Sequence, residues 1–405
     1  MNMMGRKYTM KRNYLMHLIQ LVVILTSIWI SLQATQAATT WNVPSNYATI
    51  AAAIASVSVV DGDTIEVAAG TYAENITINK SLVLQCVGAT TTTISGTATT
   101  GTGATIVTIT APNVTVTGFK ITNLFSKYGI NVANRSGVTI TNNTITAIGG
   151  SDTTYNGNTF GIAVSSSSAA VANMTITNNT ISNISNANGG SLKSANGIVI
   201  GFSTGASDIT NLLIQGNAIS GITAGKGAYG ILLNHASGAG ANTGRTVSPQ
   251  ILDNTISNLN GLWAHGIGLE GGTPNAVVQG NNISNLTLTP STGTDAAAIT
   301  LESNASANTV TIASNSFTGV LLGVLNITAA NPLVTVGSNW WGCTAGANGG
   351  AGCAATYPTT GLNAVSTGTS PPCTNSACIL AVSAPIIDLH SSGRAAIFAT
   401  ESLSK

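Results

Sequence analysis

One pattern returns along this chain and constrains its fold more than any other feature. It reads apolar, x, apolar, x, x, Asn, x, Ile, Ser/Thr, x, apolar. Copies run Val138–Ile148 around Asn143, Met174–Ile184 around Asn179 and Leu212–Ile222 around Asn217. Further copies run Ile251–Leu259 around Asn254, Val278–Leu286 around Asn281 and Val310–Val320 around Asn315. An altered copy ends the series around Asn339, and an earlier one, Val114–Leu124, carries Phe119 in the Asn position. The first and last intervals, Phe119 to Asn143 and Asn315 to Asn339, are both 24 residues, and the others are 36, 38, 37, 27 and 34. A unit of about two dozen residues is therefore lengthened by loops in the middle of the chain.

Between the copies lies a second strand pattern: Gly129-Ile, Gly161-Ile, Gly197-Ile, Gly230-Ile, Gly266-Ile and Ala298-Ile, each followed by one residue and an apolar one. Two or three short strands per unit, with alternating inward side chains, make one coil of a solenoid. A single coil cannot bury its apolar face, whereas stacked coils bury Val on Val and Ile on Ile. The predicted fold is all-β: a right-handed parallel β-helix of about nine or ten coils with a short N-terminal capping helix. The Asn column, Asn143, Asn179, Asn217, Asn254, Asn281, Asn315 and Asn339, is expected to form a ladder of amides hydrogen-bonded along the stack. It carries architecture rather than chemistry.

The ends of the chain read differently. Residues 1–37 have the form of a secretory signal peptide: Arg6, Lys7, Lys11 and Arg12, then an apolar stretch Leu15–Ile30, then Thr35-Gln36-Ala37 as a cut site. The alternative is an uncleaved anchor, but the run is shorter than the roughly 20 residues of a spanning helix. Cleavage would leave nine basic and twelve acidic residues, a net charge of −3. A chain so poor in Lys and Arg is unsuited to nucleic acid, and no membrane contact is expected after cleavage. Tyr47–Ser56 can form the capping helix, with Ser45 or Asn46 as N-cap. Residues 38–342 form the β-helix, 343–378 a Cys-containing linker or C-terminal cap, and 379–405 an unassigned tail. Cys343 with Cys353, and Cys373 with Cys378, would close local disulfides in an exported protein. Cys86, in an apolar run, reads as a small buried thiol. Asp61 and Asp63 flank a turn glycine rather than forming a catalytic dyad.

The segments Trp41–Ile50, Asp61–Val67 and Gly70–Ile78 resemble the start of pectin-lyase-like β-helix proteins. Asn339-Trp-Trp-Gly342 is similar to a motif that closes many bacterial parallel-β-helix repeat proteins, including relatives of the periplasmic nitrous oxide reductase accessory protein. The resemblance covers about residues 41–345 and implies a fold more than an activity, because the superfamily holds lyases, hydrolases, phage tailspikes and non-catalytic surface proteins. Polygalacturonase-like members carry Asp-Asp, His-Gly and Arg-x-Lys motifs. Here His265-Gly266 matches the His-Gly dipeptide, and the solenoid holds neither of the others. A metal-delivery role like the accessory protein's lacks a pair among His235, His265 and His390 at metal-binding spacing.

Candidate chemistry follows from the repeat. The residues that follow each Gly-Ile-x-apolar strand, Ala133, Ser165, Gly201, Asn234, Glu270 and Glu302, share one parity and should point outward. Glu270 and Glu302 then stand one coil apart, about 5 Å, with His235 one coil earlier. Three readings stay open for this pair: solvated carboxylates on an exposed face, a Ca²⁺ or ligand site, or the acid and nucleophile of a retaining glycosidase. By parity Tyr128, Phe160 and Tyr229 point into the core, which leaves Trp263 as the loop aromatic for sugar contact. Gly149–Phe160, Ser185–Asn196 and Asn234–Ser248 are the candidate binding loops. The expected function is that of an exported, non-catalytic β-helix that binds a polysaccharide or cell-surface glycan and requires no cofactor. The alternative is a polysaccharide lyase or glycoside hydrolase. Oligomeric state is not written in this pattern.

Overall fold

The computed structural model describes residues 16–20, 37–86, 92–100, 103–150, 157–186, 193–201, 207–234, 244–289, 295–302, 309–326, 333–343, 354–357 and 362–364. Contacts divide the chain into residues 1–39 and residues 40–405. In the first unit only a short helical stretch, residues 16–20, is described, so the signal-peptide expectation lies largely outside the described residues. No described helix is long and apolar enough to cross a membrane.

The second unit is a right-handed parallel β-helix. Its strands line up in three parallel sheets of thirteen, nine and ten strands, named here the first, second and third sheet. The chain visits them in that order, once per coil. The nine strands of the second sheet mark nine complete three-stranded coils among the described residues. The interior is a single column of Ile, Val and Leu in register, for example Ile145 on Ile181 on Ile219 on Ile256 on Ile283. The stack runs past Gly342, where the β-helix was expected to end. Ala355–Tyr357 extends the third sheet and Leu362–Ala364 the first, inside the segment read as a linker or cap. Cys343 is disulfide-bonded, while Cys353, Cys373 and Cys378 lie outside the described residues. Cys86 is a half-buried thiol outside any disulfide, and its Sγ donates to the Gly118 carbonyl at 3.0 Å.

At the N-terminal end a helix, Ile50–Ala55, buries Ile50, Ala53 and Ile54. It is shorter than expected, and its N-cap is Thr49 rather than Ser45 or Asn46: the Thr49 hydroxyl accepts from the Ala52 amide at 3.0 Å. Two more orphan amides of the first turn, of Ile50 and Ala51, donate to the Glu74 carboxylate at 3.1 and 2.8 Å. A carboxylate borrowed from the first coil thus completes the cap, which ties the helix to the end it covers. Asp61 and Asp63 hold a turn, accepting from the Ser81 and Val60 amides, and Asp63 also from the Trp41 indole.

The asparagines sit at the corner between the first and second sheets. Each Nδ2 donates to the Oδ1 of the next: Asn143 to Asn179 at 3.1 Å, then 3.0, 2.9, 2.9, 3.0 and 3.0 Å on to Asn339. The same Oδ1 also accepts the backbone N–H of the preceding ladder residue. The second amide hydrogen goes to a strand carbonyl of the coil before, such as Ile176 for Asn217. From Asn179 to Asn339 each Oδ1 accepts two hydrogen bonds, and all seven residues are at most 1% exposed. Phe119 joins through its backbone alone, donating to Asn143 Oδ1 at 3.1 Å. The residue before the ladder position takes a left-handed conformation: Asn142, Asn178, Gly216, Asp253, Gly280 and Ser314 have φ between 53° and 71°. Asn, Asp and Gly are the residues that tolerate this.

Replacing one ladder residue strands two donors of the coil before it. Asn217→Leu is expected to destabilise by about 1–3 kcal/mol for each group left unmet, whereas Thr144→Ser, at an exposed position, should be near neutral. Chemical denaturation of the two variants checks this, and equal midpoints would refute a buried, fully bonded ladder.

Candidate functional site

The third sheet differs from the other two because its outer face is also packed. Phe160, Ala163, Val199, Tyr229 and Leu232 form a second buried cluster, separate from the interior, with Tyr128 and Trp263 against it. Their strand neighbours Ile162, Val164, Ile198, Ile200, Ile231 and Leu233 lie in the interior cluster. Ala163, Val199 and Leu232 therefore face outward, and Phe160 and Tyr229 face outward with them. This overturns the expectation that Tyr128, Phe160 and Tyr229 point into the core.

The reason lies in the glycine between each of these residues and the following isoleucine. Gly161, Gly197, Gly230 and Gly266 stack in one column, and a Cβ on any of them would come within 2.5–2.6 Å of the backbone oxygen one coil on. At this extra residue the strand changes face, as at a β-bulge. Tyr229 and Ile231, two apart, thus lie on opposite sides. The outer row reads Tyr128, Phe160, Asn196, Tyr229, His265 and Ala297, in register along the axis.

His265 is the centre of the site. Only 1% exposed, its Nδ1 lies 2.9 Å from Glu302 Oε1 and its Nε2 lies 2.5 Å from Asp295 Oδ1. Both partners are carboxylates, so both ring nitrogens donate and the ring is an imidazolium. Burial works against that charge, but Asp295 and Glu302 outweigh it and raise the His265 pKa to about 9. Thr300 donates to the same Glu302 oxygen at 3.1 Å. Tyr229 meets the imidazole edge-on, 5.2 Å between ring centres, and its hydroxyl accepts from the Trp263 indole at 2.9 Å. Burial first, and the nearby carboxylates second, push the Tyr229 hydroxyl well above its ordinary range. Gly268 leaves the space that Tyr229 and Leu232 occupy.

The strand register continues through the acidic pair. Asn234 pairs with Glu270, and the Glu302 amide donates to the Leu269 carbonyl at 2.9 Å, so Glu270 and Glu302 belong to consecutive coils. They are not a solvated pair on an open face. Glu302 is 9% exposed and held by His265. Burial, then the charge of Glu302, raises the Glu270 pKa to about 7, against the pull of Lys226 and His265. Trp263 opens the strand Trp263–Glu270 rather than lying in a loop. His235 and much of the three candidate binding loops lie outside the described residues. Asp295 went unnoticed in the sequence. Its signal was its place at the start of Asp295–Leu301, in register with Trp263.

A calcium ion takes six to eight oxygen ligands, and the described residues hold no group of three or more His, Cys, Asp or Glu side chains arranged for a metal. His265 lies between the Asp295 and Glu302 carboxylates.

The two shifted groups set a pH dependence of stability. His265 is raised above 6.5, so its contribution is complete below about pH 6.5 and is lost as pH rises through about 9. Glu270 is raised above 4.5, so the folded chain keeps a proton that the unfolded chain releases. Its contribution is present below about pH 4.5 and is lost by about pH 7. Glu270→Gln should match the parent in melting temperature at pH 4 and exceed it at pH 8. Melting curves for the two across that range check the sign, and a variant less stable at pH 8 would contradict it.

No protein-family model matches the chain. Over 105 residues it is 40% identical to a cell surface glycoprotein of Methanothermus fervidus, a match that covers 26% of this chain and 16% of that protein. The chain thus spans a small part of the relative's length. Among solved structures, an alginate lyase from Paenibacillus sp. str. FPU-7 aligns over 80% of this chain and 97% of its own at 16% identity, with a TM-score of 0.49. A pectin methylesterase from carrot aligns over 82% and 88% at 13% identity and 0.41, and the Dettilon tailspike protein over 75% and 62% at 15% and 0.34. The strand order and register above establish the architecture on their own: the described strands form a parallel β-helix of three sheets.

Proposed function

We propose that this chain is an exported β-helix protein that binds polysaccharide on the outer face of its third sheet. The observation that carries this reading is the pair of half-buried aromatics Tyr128 and Trp263, set against the packed outer face of the third sheet. Aromatic rings next to fixed hydrogen-bonding groups are what a sugar ring needs, an apolar surface with polar edges. The insertions that lengthen the middle coils also fall beside this sheet, between Ser185 and Ala195 and after Asn234. The signal-like residues 1–37 and the partial match to a cell surface glycoprotein support export.

A second reading, cleavage of the polysaccharide, is favoured by one observation. Glu270 keeps its proton up to about pH 7 one coil from Glu302, the pairing of a neutral acid with a second carboxylate that glycoside hydrolysis uses.

A glycan array with the purified protein tests the first reading. Binding above an unrelated β-helix control is expected, unchanged by a calcium chelator, and weakened about tenfold or more by Trp263→Ala. No binding above the control would overturn the proposal. Release of reducing ends or unsaturated products, lost in Glu270→Gln, would convert it to the second reading.

A further inference from the structure

Twelve asparagines of this chain begin an Asn-x-Ser/Thr tripeptide, the acceptor motif for N-linked glycan in an exported protein. The fold sorts them. None is a ladder residue, because two residues after each ladder Asn the chain places an interior Ile, Phe or Trp, such as Ile145 after Asn143 and Phe317 after Asn315. The buried column is thus kept clear of a modification that would abolish its hydrogen bonds. The residue before it is not. Asn142 and Asn178 each precede a ladder Asn and have Thr144 and Thr180 at the third motif position, and all four of these residues are exposed.

The exposed motifs gather along the second sheet. Asn142 and Asn178 lead into its strands Thr144–Gly149 and Thr180–Ser185, which pair in successive coils. Asn183 lies within the second of these strands, and Asn282 and Asn285 lie within Asn282–Leu288. All five asparagines are exposed. Among the described third-sheet strands, by contrast, only one contains such an Asn, and that residue, Asn326, is 3% exposed. The second sheet is also nearly uncharged: its nine strands hold one charged side chain, Lys120. A broad surface without charge promotes association with copies of itself, and a glycan is a bulky, solubilising group that opposes it.

We infer that the second-sheet side of the solenoid is N-glycosylated, with Asn142, Asn178, Asn183, Asn282 and Asn285 as acceptors, and that the third sheet is left bare. The donor is an oligosaccharide joined through pyrophosphate to a membrane lipid, and a membrane-bound transferase catalyses the step. The asparagine Nδ2 bonds to the anomeric carbon of the sugar while the bond from that carbon to the pyrophosphate oxygen breaks. Nδ2 gives up one proton, and the lipid pyrophosphate leaves. Once attached, the glycans cover the side of the solenoid that carries no proposed ligand face. This rests on the reading that the chain is exported and is independent of polysaccharide binding.

The test is peptide mass spectrometry of the protein purified from the cells that make it, with each glycan located by fragmentation that keeps the sugar attached. Glycan is expected on Asn178 and Asn285 at the least, and on neither the ladder residues nor Asn326. Thr287→Val should lose the glycan of Asn285 and Thr287→Ser should keep it, because serine restores the hydroxyl that the motif requires. Thr180→Val and Thr180→Ser should act in the same way on Asn178. Glycan on Asn326 or on a ladder residue would overturn the inference, as would glycan confined to asparagines outside the second-sheet side. The same spectra identify the first residue of the mature chain. Unmodified peptides from a chain that begins at Ala38 would overturn the inference and leave export standing. Unmodified peptides from a chain that still carries residues 1–37 would overturn it and also remove the support those residues give to export.

Discussion

The structure depends on the hydrogen bonding of one amide per coil. A parallel solenoid has to turn its backbone sharply at each corner, and the polar groups there face an apolar interior. The ladder meets that requirement because a primary amide brings two donors and two acceptor positions, and each Asn spends them on the coil before and the coil after. A slip of one residue would remove Asn217 from Asn254 Oδ1 and expose Ile219 together. The ladder and the Ile column therefore specify the same register from both sides of the corner. Other faces of the coil can then vary in sequence without loss of alignment.

That freedom is used on the third sheet. From Gly161 to Gly266 the glycine column admits a face change at which a Cβ would crowd the carbonyl of the next coil. Once the face changes, a large aromatic can sit outside the solenoid and still be buried, as Phe160 is. The outer row becomes a second, smaller core, and polar groups set into it are dry enough for their charges to matter. His265 holds its charge up to about pH 9 because two carboxylates outweigh its burial, and burial and Glu302 raise the Glu270 pKa to about 7. On an open strand face the same residues would be screened by water.

The repeat made the fold legible because its signal is redundant: seven asparagines at one offset from an apolar residue admit few other architectures. The stacking of Glu270 over Glu302 followed from the same periodicity. Parity counting failed where the backbone departs from a strict period of two. Gly161 and Gly230 reset the faces, so inward parity misplaces Phe160 and Tyr229. A glycine recurring in one column was itself the signal, read as part of a strand rather than as a bulge. The Asp295–His265–Glu302 cluster was hidden for a further reason: its members come from two coils separated by 30 and 37 residues, and no local motif encodes such a contact. The end of the β-helix was also misplaced, because the strands Ala355–Tyr357 and Leu362–Ala364 are short and lack the Asn that marks the other coils.

These constraints make one surface of the solenoid the place where a ligand should be found. The most direct measurement is a crystal structure of the chain with a bound oligosaccharide. The account predicts sugar rings on the outer face of the third sheet, against Tyr128 and Trp263. An oligosaccharide seated on the first or second sheet, with the third-sheet row untouched, would contradict it.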